Sequence, residues 1–191
     1  GDTLLKVSES HFIRSQKSYD SGDLERAYDE AIEAWELMLL IESVNPYQAT
    51  TQLALAKIAL TQVERGDESF AIQAKDRYLQ LAIDFRGYPT LVGTAATAMA
   101  SLGEYNEAIR LANRAIGTES TTKPWAKAWY AKGISEYFLG DVSLGLKSLI
   151  TATNKEPGSS TSKLAHKALS NIYEERGDEE NAQFHATRSA E

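Results

Sequence analysis

Five glycines, each followed directly by an acidic residue, recur along this chain at a nearly constant spacing. The first interval is 44 residues and the next three are 37 residues each, as read from Gly22, Gly66, Gly103, Gly140 and Gly177. Such self-similarity is typical of repeat proteins, in which one small supersecondary unit stacks on the next. The chain is therefore expected to form an array of similar units instead of one globular core.

The residues around each glycine predict two helices joined by a tight turn. Glycine often ends a helix because it adopts the left-handed backbone conformation at little cost. The Asp or Glu that follows can cap the free N–H groups of the next helix and favours the positive end of its dipole. After the third glycine, one apolar stripe recurs at helical spacing, formed by Ala108, Ile109, Ala112, Ala115 and Ile116. Since no sustained strand-like alternation is found, the predicted fold class is all-α.

Five helix hairpins follow from this pattern. The predicted helix pairs are 8–21 with 24–43, 47–64 with 68–84, 88–101 with 105–117, 124–138 with 142–154, and 160–175 with 179–190. The first interval is longer than the others. Its extra residues are assigned to the second helix of the first hairpin, which would then continue to Asn45 and Pro46.

The fourth unit carries residues of a known repeat pattern. When its turn glycine is counted as position 15, four residues match marked positions of the pattern W-x2-L-G-x2-Y, then A-x3-F, then A and P: Trp129, Gly133, Ala152 and Pro157. The first alanine of the second helix recurs in the other four units, as Ala27, Ala71, Ala108 and Ala182. The chain thus resembles a tandem array of tetratricopeptide repeats, with Gly145 in place of that alanine in the fourth unit.

The resemblance implies an α-solenoid, which is a right-handed superhelix of antiparallel helix pairs. It would form a single domain over residues 1–191, with repeats at about 8–45, 46–87, 88–122, 123–158 and 159–191. In this family the first helix of each hairpin lines a concave groove. The candidate protein-binding residues placed there are Phe12, Gln16, Tyr19, Thr97, Lys127, Tyr130, Ile134, Tyr137, Lys167 and Asn171. The alternative left open is that these side chains pack against neighbouring helices.

Composition argues against several classes of function. The formal net charge is −7, which would repel the phosphate backbone of a nucleic acid. The chain has no cysteine, so disulfides and cysteine nucleophiles are excluded. No window reaches the ~18 apolar residues of a membrane span, so direct membrane insertion of this segment is not expected. Because the chain begins at Gly1 without a signal-peptide pattern, either a cleaved segment or a piece of a longer protein is expected.

No pattern in the sequence indicates catalysis or a cofactor. The candidates for imidazole chemistry are His11, His166 and His185, and none is spaced from another ligand as metal sites require. Glycine-rich nucleotide motifs and the nucleophile elbow are absent. The histidines are therefore interpreted as structural, and neither an enzyme activity nor a bound cofactor or metal is expected.

The predicted function is that of a scaffold or adaptor that binds a peptide or protein segment in the groove without catalysis. Residues 123–167 hold seven lysines and three acidic residues, a local charge of +4. Two interpretations stay open, namely steering of an acidic partner and a set of solvated helix faces. The alternative is an interaction domain of a larger enzyme or membrane-anchored protein whose chemistry lies outside this chain. Self-association also stays open. A cytoplasmic location is slightly favoured over an exported or membrane-tethered one.

Overall fold

The computed structural model describes residues 2–41, 46–120, 123 and 125–191. Within these residues the chain forms ten α-helices and no named β-strand. The helices are α1 (Asp2–Asp20), α2 (Leu24–Leu39), α3 (Pro46–Glu64), α4 (Ala71–Asp84), α5 (Pro89–Ser101), α6 (Tyr105–Ile116), α7 (Ala126–Phe138), α8 (Val142–Lys155), α9 (Ser160–Glu175) and α10 (Glu179–Ala190). The predicted all-α fold class is confirmed.

The five glycines lie at the turn inside each hairpin, as the sequence predicts. All five have positive φ angles, from 73° to 98°, where a residue with a β-carbon would be strained. In four hairpins the next residue is an aspartate whose side chain accepts a hydrogen bond from a backbone N–H in the following helical turn: Asp23, Asp67, Asp141 and Asp178. The glycine stop and the aspartate cap together fix where each second helix begins.

The first interval is longer for a different reason from the predicted one. α2 ends at Leu39 instead of residue 43, and residues 42–45 lie outside the described part of the chain. Met38 is the last buried residue of α2, whereas Leu39 and Leu40 are 61% and 65% exposed. Because both side chains are exposed, they add no burial that would favour a longer helix among the described residues. Part of the additional length lies in α3, which has 19 residues, whereas α5 and α7 have 13 and α9 has 16.

The other helix bounds agree with the prediction to within one residue, except at three starts. α1 begins at Asp2, six residues earlier than predicted, and α7 begins at Ala126, two residues later. Before α4, residues Glu68–Phe70 form a separate 3-10 turn.

Contacts divide the chain into two compact units, an N-terminal unit (Gly1–Asp84) and a C-terminal unit (Phe85–Glu191). In each unit the two helices of a hairpin pack together, and the first helices of successive hairpins contact each other, α1 with α3 and α5 with α7 and then α9. One core cluster of the N-terminal unit consists of Ala27, Ala31, Leu55 and Ile58. A cluster of the C-terminal unit consists of Leu149, Ala152, Ala165, Leu169 and Ile172. The many alanines allow neighbouring helices to approach closely.

α7 and α8 approach each other at a pair of glycines. A β-carbon built on Gly133 would lie 2.8 Å from the backbone nitrogen of Leu149. One built on Gly145 would lie 2.9 Å from both the carbonyl oxygen of Gly133 and the backbone nitrogen of Tyr137. Such distances are shorter than close-packed protein interiors allow. The glycine that replaces the family's alanine in the fourth unit is therefore a packing requirement of this hairpin.

Candidate binding groove

In the N-terminal unit, three predicted binding residues surround one cavity. Phe12, Gln16 and Tyr19 of α1 line a space of about 180 Å³ together with Leu53 and Lys57 of α3. The Lys57 ammonium lies 5.0 Å from the centre of the Tyr19 ring, which is a cation–π distance. The cavity thus combines apolar walls with one amide and one positive charge.

In the C-terminal unit, a second cavity of about 280 Å³ lies between the first turns of α5 and α7. Thr90, Gly93 and Lys127 line it from positions at which the repeat pattern places groove residues. Lys123 adds a second ammonium group, and Glu156 adds a carboxylate. Neither lysine forms an ion pair with any residue that the structure describes. The cavity therefore presents two ammonium groups and one carboxylate beside small side chains, so its lining carries one more positive than negative charge.

Trp125, at the start of α7, lines the second cavity in an unusual local structure. Its φ is 47°, a left-handed conformation that is rare for a bulky residue. Its indole N–H is buried and has no acceptor among the described residues. As the N-cap of α7, Trp125 also gives the first turn no side-chain hydrogen bond. Backbone strain and unsatisfied buried polar groups concentrate at functional sites, which marks this cavity as a candidate.

The three apolar and aromatic candidates on α7 contribute to helix packing. Tyr130, Ile134 and Tyr137 are half-buried and pack against the core cluster of α8 and α9. Burial raises the pKa of the Tyr130 hydroxyl. The Tyr137 hydroxyl donates a hydrogen bond to Glu175 of α9, which together with burial raises the pKa of Tyr137. All three side chains therefore pack against neighbouring helices, which was the alternative to a binding role in the sequence analysis. Each also keeps part of its surface exposed.

The remaining candidates differ in their surroundings. The Thr97 hydroxyl lies 3.4 Å from the backbone carbonyl oxygen of Lys127 and so bridges α5 and α7. Lys167 and Asn171 are exposed on α9 and line neither of the two cavities. The structure therefore brings Phe12, Gln16 and Tyr19 together in one unit, and Thr97 and Lys127 together in the other.

Trp129, at the marked tryptophan position of the repeat, is a structural anchor. Its indole N–H donates to Oε2 of Glu119 at 3.0 Å. The Lys155 ammonium lies 2.6 Å from the other oxygen of the same carboxylate. Glu119 therefore connects the segment after α6 to both α7 and α8.

The histidines also have partners inside the fold. Nδ1 of His11 lies 2.7 Å from Oε2 of Glu30, and Arg14 donates to the same oxygen at 2.9 Å. Burial would raise the pKa of Glu30, but the hydrogen bonds from His11 and Arg14 outweigh it, so this pKa is lowered. In the described part of the chain no three His, Asp or Glu side chains are grouped so as to hold a metal ion. Nor does any helix described there combine the length and apolarity needed to cross a membrane.

Sequence reasoning missed several cavity residues, among them Lys57, Lys123 and Trp125. Lys57 could have been found, because it follows Leu53 by four residues and so shares its face of α3. No signal in the sequence indicates the left-handed backbone of Trp125.

Comparisons with known proteins bear on the fold. No family model matches the chain, and a search of curated proteins found no match. Solved structures do match. A MamA fragment (41-end) from Desulfovibrio magneticus RS-1 is similar at a TM-score of 0.64 and 13% identity, covering 96% of this chain and 93% of that one. PilF of Pseudomonas aeruginosa is similar at a TM-score of 0.68 and 12% identity, and the match covers 98% of this chain and 77% of PilF.

A tetratricopeptide repeat protein from Parabacteroides merdae gives a TM-score of 0.64 at 18% identity, covering 96% of this chain and 66% of that one. At such identities the likeness concerns the fold, not the partner. The repeated glycine turns and the paired helices agree with it. The chain is therefore a tetratricopeptide-like helical-repeat protein with an all-α solenoid fold.

Proposed function

We propose that this protein is a non-catalytic scaffold that binds an acidic peptide segment on the first helices of its C-terminal unit, at the α5–α7 cavity. The observation that carries the proposal is the second cavity itself. It contains the predicted groove residue Lys127, and Lys123 and Lys127, which have no ion-pair partners among the described residues, outnumber the single carboxylate of Glu156. Beside them lies the buried indole N–H of Trp125, which has no acceptor among the described residues.

The chemistry of the lining favours a peptide over a small metabolite. The walls are formed by short side chains such as Thr90 and Gly93, which leave room for a backbone or a side chain to enter. Two ammonium groups attract carboxylates, and such attraction between exposed charges weakens as salt is added. The half-buried Tyr130 and Tyr137 lie further along α7 and offer aromatic surface of the type found in binding hot spots.

The proposal is tested with an array of immobilised random peptides probed by the full chain. Wild type is compared with Lys127→Glu, which reverses one charge at the cavity without removing a packed side chain, because Lys127 is exposed. The matched control is Lys147→Glu, the same charge change at an exposed position of α8 outside both cavities. Alanine at Tyr130 is a poorer probe because that residue packs against the core.

The proposal expects wild type and Lys147→Glu to select the same acidic peptides, with binding that weakens at higher salt. Lys127→Glu should lose most of that signal while its circular dichroism spectrum stays helical. An equal loss of peptide binding in both variants would indicate that the peptides respond to the net charge of the protein and not to the groove. Selection of apolar or basic peptides, unaffected by Lys127→Glu, would contradict the proposal.

A further inference from the structure

Two histidines face each other between the last two helices. Nδ1 of His166 on α9 lies 2.8 Å from Nδ1 of His185 on α10, and the ring centres are 5.0 Å apart. A hydrogen bond between these atoms requires one ring to carry a proton on Nδ1 and the other to lack it. The contact therefore depends on the protonation state of both rings.

α10 depends on this contact to an unusual degree. His185 is 7% exposed and is the one buried residue of this helix, all of which the structure describes. α9 is the neighbour on which α10 packs. The His185 ring also stacks on Tyr173 of α9, with 5.6 Å between ring centres. The last helix is thus held by a titratable side chain together with a hydrogen bond of 2.9 Å from the Ser170 hydroxyl of α9 to the backbone carbonyl oxygen of Ala182.

The charges around the pair act on an added proton in both directions, since Arg188 opposes protonation of His166 and Glu191 favours it. Both rings line a cavity of about 350 Å³ with Lys163 of α9, Arg188 of α10 and Glu191, the residue that follows α10. Glu191 is engaged with Arg188 at 3.1 Å. The lining residues from α8 and the following loop carry no charge: Ile150, Thr153, Asn154, Pro157 and Gly158. No carboxylate of the described residues lies in an ion pair with either ring.

The first hairpin provides a natural comparison. His11 occupies the position in the first unit that His166 occupies in the fifth, and its partner 19 residues later is Glu30. In the fifth unit the residue 19 positions later is His185. Nδ1 of His11 thus faces a carboxylate and, at 2.8 Å, a nitrogen of the Arg14 guanidinium. In the fifth unit, protonation of both rings would set two N–H groups against each other.

We propose that the His166–His185 pair is a pH-sensitive contact through which mild acid releases α10 from α9, while the α1–α2 hairpin stays closed. A singly protonated pair keeps its hydrogen bond, because an imidazolium Nδ1–H can donate to the neutral ring. The second proton abolishes it. Release would open the hairpin at its last helix and leave the α9 surface around Tyr173 available for contact.

The direction of the pH effect follows from the surroundings of each ring. Burial and the charge of Arg188 lower the pKa of His166 and outweigh Glu191, which raises it. Burial lowers the pKa of His185, with a contribution from His166. Since both are below the value of about 6.5 for an unfolded chain, the folded hairpin binds fewer protons than the released one. Its stability is complete above about pH 6.5 and is lost as the pH falls through the lowered values.

Hydrogen exchange followed by mass spectrometry tests this on the full chain at about pH 7.5 and about pH 5, corrected for intrinsic exchange. The protection of α10 amides is compared with that of α2 amides in the same sample. Wild-type α10 should lose about tenfold or more of its protection relative to α2, the change equivalent to one pKa unit of linked protonation.

Two variants complete the test, each compared with itself at the two pH values. His185→Glu rebuilds the histidine–carboxylate pair of the first hairpin and should keep α10 protected in acid. The double variant His166→Gln, His185→Gln has no titrating ring and should show equal protection at both pH values, even if α10 is less stable. Unchanged wild-type protection, or an equal acid loss in the double variant, would overturn the proposal.

Discussion

Replacing Gly145 by alanine gives this repeat the residue that the other four units carry, and we expect it to destabilise the protein. The new β-carbon would meet the carbonyl oxygen of Gly133 and the backbone nitrogen of Tyr137 at 2.9 Å, and the Tyr137 β-carbon at 3.0 Å. None of these atoms can rotate away, because each belongs to the backbone or is fixed to it. α7 and α8 would therefore have to separate.

Two contributions of opposite sign determine how far Gly145→Ala changes the free energy of unfolding. Overpacking in a well-filled interior costs about 1–3 kcal/mol. Alanine in place of glycine inside a helix contributes about 1 kcal/mol in the opposite direction. Because the contact is with backbone on the opposite helix, we place the overpacking cost at the upper end. The expected net loss is about 1–2 kcal/mol in the free energy of unfolding.

Urea unfolding followed by circular dichroism measures this loss, and Gly93→Ala is the matched control. Gly93 also lies inside a helix, but its β-carbon would meet the nearest atoms of Ala128 at 3.7 and 3.8 Å, an ordinary contact. That variant should be unchanged or more stable by up to about 1 kcal/mol. A Gly145→Ala protein as stable as wild type would refute the packing argument. It would show that α7 and α8 can accommodate a β-carbon at this position without loss of stability.

Two further substitutions test the contacts that hold the hairpins. Trp129→Phe keeps an aromatic ring but removes the indole N–H that donates to Glu119. The urea midpoint should fall by the equivalent of about 1–2 kcal/mol. An unchanged midpoint would show that Lys155 alone satisfies the carboxylate. Asp141→Ala removes the side-chain acceptor for the N–H of Leu144 and should lower the free energy of unfolding by about 1 kcal/mol in the same assay. Asp141→Asn should lower it less. Equal losses of stability in the two variants would argue against a capping role.

The architecture was predictable because its signals are local. Glycine and aspartate act within one turn, so their recurrence placed the hairpins, and the structure bears out both the left-handed glycines and the aspartate caps. The end of α2 was not predictable in the same way. Leu39 and Leu40 have helical, apolar composition, and only their exposure in the structure shows that they add no burial that would favour a longer helix among the described residues.

The candidate site was less accessible to sequence reasoning because it depends on which helices face each other. Repeat positions correctly indicated that Phe12, Gln16 and Tyr19 share one face of α1, and the structure shows a cavity there. The α5–α7 cavity depends on Trp125, whose backbone conformation follows from tertiary packing. Likewise, the contact of His166 with His185 joins two helices and has no signature in either one.

The most direct test of the proposed function is a map of where an acidic peptide selected from the array binds. Amide chemical-shift changes on titration of the labelled full chain provide that map. The account predicts that the largest changes occur around Thr97, Lys127 and Tyr130, on the first helices of the C-terminal unit. Largest changes on the exposed side of α8, around Lys147, with those three residues unaffected, would contradict it.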